Sequence, residues 1–330
     1  MNLTGFNQSD RCKHFFCPQR SVYLEVYILL YVCSSAVVLL TLCGNLLIII
    51  SVLHFKQLHT PTNTIVLSLA VSDFLIGAFV MLPVLIWTIE SCWIFEKGYC
   101  FCLMVTSFFL GNVSIYNIAL IAVDRYLALS NPFFYINIIS RRKMCIVVYL
   151  NWCLCLMYVI AVLYFNGSFM TFFICPGECF LFFNEICSII DLVHSFIFPL
   201  CVIIILYTLV FVIAKKHATA IRDFNNLTLP KTQKVTSHSM KSERKAAKVL
   251  GILVSVFLVC LLPYFVFTFL GNVIKIQPET FQKVLIMIYL NSTINPFIYA
   301  LFYPWFRRCT RLIITLQIFQ ADSALINVLS

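Results

Sequence analysis

The sequence predicts an all-α membrane protein, a bundle of seven membrane-spanning helices with a short amphipathic eighth helix, and three observations carry that prediction. Of 330 residues, 62% are hydrophobic and 11% charged, with a mean hydropathy of +0.96, too apolar for a soluble core. Seven segments nearly free of Asp, Glu, Lys and Arg are each long enough for the about 20 helical residues that cross a bilayer. The run Asn291-Ser292-Thr293-Ile294-Asn295-Pro296-Phe297-Ile298-Tyr299 places amides and a proline near the end of an apolar stretch. Unsatisfied polar groups are costly in hydrocarbon, and a mid-helix proline frees a carbonyl, so this cluster must face protein or trapped water inside a bundle.

In chain order, residues 1–21 form an outer tail. The spans fall near 22–54, 61–89, 99–129, 143–165, 188–214, 247–270 and 282–303, inside one seven-span domain at 22–304. The inner loop from about Ala218 to Ser242 is polar and expected to be flexible. Residues 305–330 hold the eighth helix, Trp305 to Leu316, and an inner tail; Cys309 there is either palmitoylated or a buried thiol.

Basic residues set the orientation. Lys56, Arg141-Arg142-Lys143, Lys215-Lys216, the stretch Lys231 to Lys248 and Arg307-Arg308-Arg311 alternate with loops poorer in Lys and Arg, which puts the N-terminus outside and the C-terminus inside. The sequons at Asn2, Asn7 and Asn166 then lie on the outer face, where glycosylation occurs; Asn112, Asn226 and Asn291 also head sequons but sit in helices or inside. The first residues are polar and the first apolar run is long enough to span, so no cleavable signal peptide is read.

A net charge of +10 concentrated at the inner membrane faces reflects topology and anionic lipid rather than nucleic acid. The sixteen cysteines show no metal spacing, and those inside spans behave as small hydrophobes. Cys12, Cys17, Cys92, Cys100, Cys175 and Cys179 lie on the outer, oxidising side and are available for disulfides. No nucleotide loop, internal repeat or nucleophile with a base is present, so no enzyme is expected.

Each span carries a landmark in order: Gly44-Asn45, Leu69-Ala70-Val71-Ser72-Asp73, Asp124-Arg125-Tyr126, Trp152, Pro199 with Tyr207, Pro263, and Asn295-Pro296-Phe297-Ile298-Tyr299. Over essentially the whole chain this resembles the class A, rhodopsin-like G-protein-coupled receptors. Within them, NSTINPFIYALFYPWFR from Asn291 to Arg307 and the loop Cys175-Pro-Gly-Glu-Cys179-Phe-Leu-Phe-Phe-Asn184 are similar to the trace amine-associated receptors of teleost fish.

The buried aspartate Asp73 is functional by default. Ser114, Asn291, Ser292 and Asn295 are oxygen-bearing groups at inward spacings, and together with Asp73 they resemble the family's sodium pocket; a water-filled hydrogen-bond network without an ion is the alternative. By resemblance, Arg125 pairs with Asp124 and with Glu243 at the base of the sixth span, and Tyr126, Tyr207 and Tyr299 belong to the surface that couples to a G protein of the stimulatory class. The resemblance also implies that Cys100 pairs with Cys179 and Cys17 with Cys175, with Cys12 competing for the latter.

In aminergic receptors the amine's counter-ion is an aspartate on the third span, five turns (about 27 Å) outward of the arginine. Counting back from Arg125 reaches Ser107, and neighbouring Phe108 cannot replace a carboxylate. An aspartate occurs instead on the fifth span: Asp191, eight residues outward of Pro199, with Ser188, His194 and Ser195 on its face. This resembles fish receptors whose counter-ion has moved to the fifth span. A local pair with His194, a protonated acid and a water-facing charge are the other readings of Asp191. Tyr264, Phe265 and Tyr289 offer aromatic faces for a cation. The family's tryptophan after Cys260 is Leu261 here, which implies a changed activation step or basal activity.

The implied function is a plasma-membrane receptor for small protonated amines, set in olfactory neurons. A receptor for a peptide or lipid is the alternative, and a transporter, which would show inverted repeats, a more distant one.

Overall fold

The computed structural model describes residues 23–167, 177, 179, 183–227, 252, 255, 256, 258–267, 278–320 and 322–329. Among them, six helices are long and apolar enough to cross a membrane: Leu24–His54, Pro61–Glu90, Lys97–Ser130, Arg141–Phe165, Glu185–Ile213 and Val284–Phe302. A shorter apolar helix, Leu258–Phe267, stands at the sequence position of the sixth span. A bundle buried in lipid turns its large apolar side chains outward, and Leu29, Val32, Leu39, Leu53, Tyr149, Leu154, Ile205 and Phe211 are all exposed. Its interior holds the polar groups instead: Thr41, Asn45, Ser72, Asp73 and Asn117 are 0% exposed.

Side-chain caps fix where several helices start. Thr60 Oγ1 accepts from Asn63 N ahead of Pro61, Ser140 Oγ from Lys143 N, and Asn184 Oδ1 from Cys187 N, each satisfying an amide that the first helical turn leaves free. The fifth span continues inward as helix to Leu227, past the point where a flexible loop is expected. Outside the bilayer Ala218, Ala220 and Arg222 are good helix formers, so the backbone keeps its own hydrogen bonds.

Prolines decide the irregularities. The second span widens into a π-helical turn at Gly77–Met81 just before Pro83, and the fifth does so at Leu192–Ile197 just before Pro199. In the fifth, Phe198 N–H bonds Val193 O, five residues back. Pro199, next in that register, has no N–H to give His194 O. Tyr116 of the third span supplies the missing donor, its hydroxyl 3.0 Å from His194 O. The seventh span repeats the solution. Pro296 sits inside helix Pro278–Phe302 and leaves Ser292 O without its intrahelical donor; Asn45 Nδ2 of the first span donates to it at 3.1 Å. The two spans are drawn so close that a Cβ on Gly44 would lie 2.7 Å from Pro296 Cβ.

The second, third and fourth spans meet at a buried polar junction. Trp152 Nε1 donates to Ser68 Oγ (2.9 Å), Ser68 Oγ to Asn117 Oδ1 (3.0 Å), and Asn151 Nδ2 to the same Asn117 oxygen (3.3 Å). At the outer end a disulfide joins Cys100 to Cys179 with Cα atoms 5.6 Å apart, and Trp93 N donates to Gly177 O at 2.7 Å. Cys92 is also disulfide-bonded; Cys17 and Cys175, expected to pair, lie outside the described residues. At the inner end, helix Pro304–Ile314 buries Trp305, Phe306 and Cys309. Burial pushes the Cys309 thiol up to about 12. The tail then folds back: Val328 is 1% exposed, its N–H donates to Gln57 Oε1 (3.0 Å), and Ser323 Oγ bonds His54 Nε2 (3.0 Å).

Candidate functional site

A cavity lies between the third, fifth, sixth and seventh spans, a concave, mostly apolar recess with a few polar groups, as small-molecule sites are. Ser107 and Phe108 face it from the third span, Asp191 and Ser195 from the fifth, Tyr264 and Phe265 from the sixth, and Tyr289 from the seventh. Ser188 is not on its wall; that hydroxyl donates to Phe183 O at 3.5 Å.

Asp191 is the cavity's charged group and is 6% exposed. Tyr158 of the fourth span and Ser195 both donate to Oδ1, at 3.1 and 2.6 Å, while Oδ2 accepts from no described residue. One oxygen is thus held by two donors and the other is left for something in the cavity. No cation pairs with Asp191 among the described residues. His194 stacks face to face on Tyr158 instead, with ring centroids 3.7 Å apart. Ser195 Oγ also lies 2.9 Å from Asn112 Oδ1 of the third span. One hydroxyl has one hydrogen, so Ser195 donates either to Asp191 or to Asn112. Across the cavity Ser107 Oγ and Tyr289 OH are hydrogen-bonded at 2.8 Å, tying the third span to the seventh.

Tyr158 and Asn112 were not among the ligand-site residues expected from the sequence, where Asn112 figured only as the head of a sequon. Their contribution depends on which neighbour's carboxylate or hydroxyl the bundle brings opposite, and no local pattern encodes that. The wide turn that presents Ser195 and Asp191 together had a partial signal in Pro199.

Beneath the cavity, Asp73 is 0% exposed. Its Oδ1 accepts from Ser114 (3.1 Å) and Ser292 (2.8 Å), and its Oδ2 from Asn295 Nδ2 (2.7 Å). Asn291 is buried on the cavity wall without a hydrogen bond to Asp73. The amide oxygens of Asn295 and Asn45 are buried with no hydrogen-bond partner among the described residues. A carboxylate, two hydroxyls and an orphaned amide oxygen form a donor set that suits a hard monovalent cation.

At the inner end of the third span Arg125 Nη2 lies 2.8 Å from Asp124 Oδ2. Asp124 also accepts from Thr62 (2.7 Å) and from Tyr135 in the short helix Pro132–Ile138 (2.7 Å), and Arg125 donates to Thr62 as well. Burial raises the Tyr135 pKa, keeping it a neutral donor. Thr62 and Tyr135 are additions to the sequence reading; Glu243 falls outside the described residues. Tyr126 is half-buried beside this cluster. Tyr207 is half-buried and Tyr299 buried, and their hydroxyls have no hydrogen-bond partner among the described residues.

Residues 44–299 match the model of the 7 transmembrane receptor (rhodopsin family). The chain belongs to that family. This receptor is 37% identical over 322 residues, 94% of its length and 93% of the relative's, to trace amine-associated receptor 13c of Danio rerio. It is 35% and 34% identical to trace amine-associated receptor 1 of Macaca mulatta and of Homo sapiens, in each case over 93% of the receptor and 94% of the relative. The match establishes the seven-span architecture, sets the transporter reading aside, and makes the chain a multi-pass membrane receptor and not an enzyme.

Proposed function

We propose that the receptor binds a small protonated amine through Asp191 and signals to a stimulatory G protein from the plasma membrane of olfactory neurons, its N-terminus outside. The observation that carries the amine is the buried carboxylate with one oxygen anchored by Tyr158 and Ser195 and the other unoccupied by any described partner. A buried charge without a cation is costly, and an ammonium arriving at Oδ2 removes that cost. Tyr264, Phe265 and Tyr289 line the same cavity and add aromatic faces that favour a cation. The names of the relatives are consistent with this ligand class.

Coupling follows from the single hydrogen of Ser195. Once an ammonium neutralises Asp191, that hydrogen is free to turn to Asn112 Oδ1, strengthening the link between fifth and third spans. The third span ends in the Asp124–Arg125 pair, whose release would present Arg125 to the G protein. Leu261 on the cavity wall makes the transmission here differ from that of receptors with a tryptophan at this place. Asp73, Ser114, Ser292 and Asn295 would hold a sodium ion, with Asn291 beside them, stabilising the inactive arrangement. Asn2, Asn7 and Asn166 would carry glycans, and Cys17 would bridge to Cys175.

An amine panel applied to cells expressing the receptor, read as cAMP, tests the proposal. Saturable cAMP responses to a subset of primary amines are expected. Responses confined to peptides or lipids, or a fall in cAMP, would refute it.

A further inference from the structure

The cavity continues below the level of Asp191. Its wall includes Ser114 and Ser292, the two residues whose hydroxyls donate to Asp73 Oδ1. Along the third span it runs from Met104 to Ile115, roughly 16 Å of helix. Asp191 lies one turn outward of Ser195, which meets Asn112, so the stretch from Asn112 to Ile115 borders space deeper than the counter-ion.

That depth has a local cause at Gly111. A glycine inside a helix costs about 1 kcal/mol relative to alanine, and close packing commonly accounts for one, as Pro296 does for Gly44. A Cβ built at Gly111 meets nothing within 4 Å. The space it leaves is cavity, and Leu261 of the sixth span, 3% exposed, lines the same cavity. Toward its lower end the wall is largely apolar, with Ile76, Ile115 and Leu261. The hydroxyls at the bottom already donate to Asp73.

We infer that this lower chamber takes the distal chain of an elongated apolar monoamine whose ammonium sits at Asp191, with Gly111 and Leu261 setting the chain length the receptor accepts. The inference rests on the amine reading above and adds the ligand's shape. A short amine leaves the chamber unfilled and forgoes the burial of its apolar wall. Each methylene added gains burial until the chamber is full, and further growth meets the floor.

The test uses linear primary alkylamines from ethylamine to decylamine, together with the α,ω-diamines of matching length. The readout is the amine concentration giving half-maximal thermal stabilisation of the purified full-length receptor. Native receptor is expected to show affinity rising with chain length to an optimum. Gly111→Leu and Leu261→Trp each fill the chamber, from the third and the sixth span; either should weaken octylamine about tenfold or more, the worth of roughly two buried methylenes, while butylamine is unchanged. Leu261→Met, which conserves volume, should keep the native profile. Two filling variants on different spans ensure that misfolding of one leaves the other to decide. A chain-length profile that neither filling variant shifts overturns the inference, as does native preference for diamines over monoamines, which would mean that the chamber recognises charge. A profile indifferent to Asp191→Asn would instead refute the amine reading itself.

Discussion

At the scale of single residues, the two oxygens of the Asp191 carboxylate have different surroundings. Tyr158 holds Oδ1 of Asp191, so Tyr158→Phe should lower the melting temperature of the unliganded receptor by the equivalent of about 1.5–3 kcal/mol, the worth of a hydrogen bond to a charged acceptor; an unchanged melt would show that the phenol bears no load. Ser107 lies across the cavity, hydrogen-bonded to Tyr289. Ser107→Asp would put a second carboxylate in the same space, and two like charges repel until cations bind. Linear diamines should therefore gain potency relative to monoamines in dose–response assays. An unchanged ratio in a surface-expressed variant would mean that residue 107 does not address the ligand. That Asp191, Tyr264, Phe265 and Tyr289 line one cavity was legible in the sequence because charge and aromatic placement on spans can be counted; Ser107 was reached by counting from Arg125 to the position that the resemblance gives the counter-ion. Ser188 was placed on the face of Asp191 by helical spacing, but it sits a turn nearer the mouth and bonds Phe183 O. Tyr158, from a different span, could not be counted at all.

At the scale of elements, the bundle is organised by carbonyls that prolines release. Asn45 answers Pro296 by donating to Ser292 O, so Asn45→Leu leaves a buried carbonyl unsatisfied and should destabilise the receptor by about 1–3 kcal/mol, read as a lower melting temperature and reduced surface expression. The sequence announced that such a partner must exist, since the amides and proline of the seventh span were visible, and the landmark Gly44-Asn45 held both the partner and the glycine that permits its approach. The π-helical turns before Pro83 and Pro199 were legible only through the prolines beside them. They change hydrogen-bond register without changing composition or hydropathy. The inward extension of the fifth span to Leu227 was hidden for a related reason: leaving the membrane ends the apolar signal but not the helix. At the inner surface, the choice left open for Cys309 is decided toward burial. With its thiol pushed up to about 12 by burial, it stays protonated at neutral pH and should resist maleimide labelling in the folded receptor while reacting after denaturation; rapid labelling of the native protein would contradict this.

At the scale of the whole molecule, an apolar exterior surrounds an interior that mixes packed apolar side chains with buried polar networks. The Asp191 cavity, the Asp73 network and the Asp124–Arg125 cluster are arranged along the third span, which supplies Ser107, Asn112, Ser114 and Arg125 to them in turn. The outer disulfide Cys100–Cys179 fixes the top of that span, and the chain packs its tail residue Val328 against the inner end. The seven-span architecture could be read from hydropathy and landmark order because lipid imposes it on every segment alike, whereas the direction of each side chain within the bundle is set by neighbours far away in sequence. The role proposed for Asp191 as the counter-ion of a protonated amine is tested by the dose–response curve of the best amine agonist on Asp191→Asn beside the native receptor, at matched surface expression. Asparagine keeps the shape and the hydrogen bonds to Tyr158 and Ser195 but removes the charge. Losing one partner of a buried ion pair costs about 3–5 kcal/mol, so the account predicts a right-shift of about a hundredfold or more; a curve superimposed on that of the native receptor would contradict it.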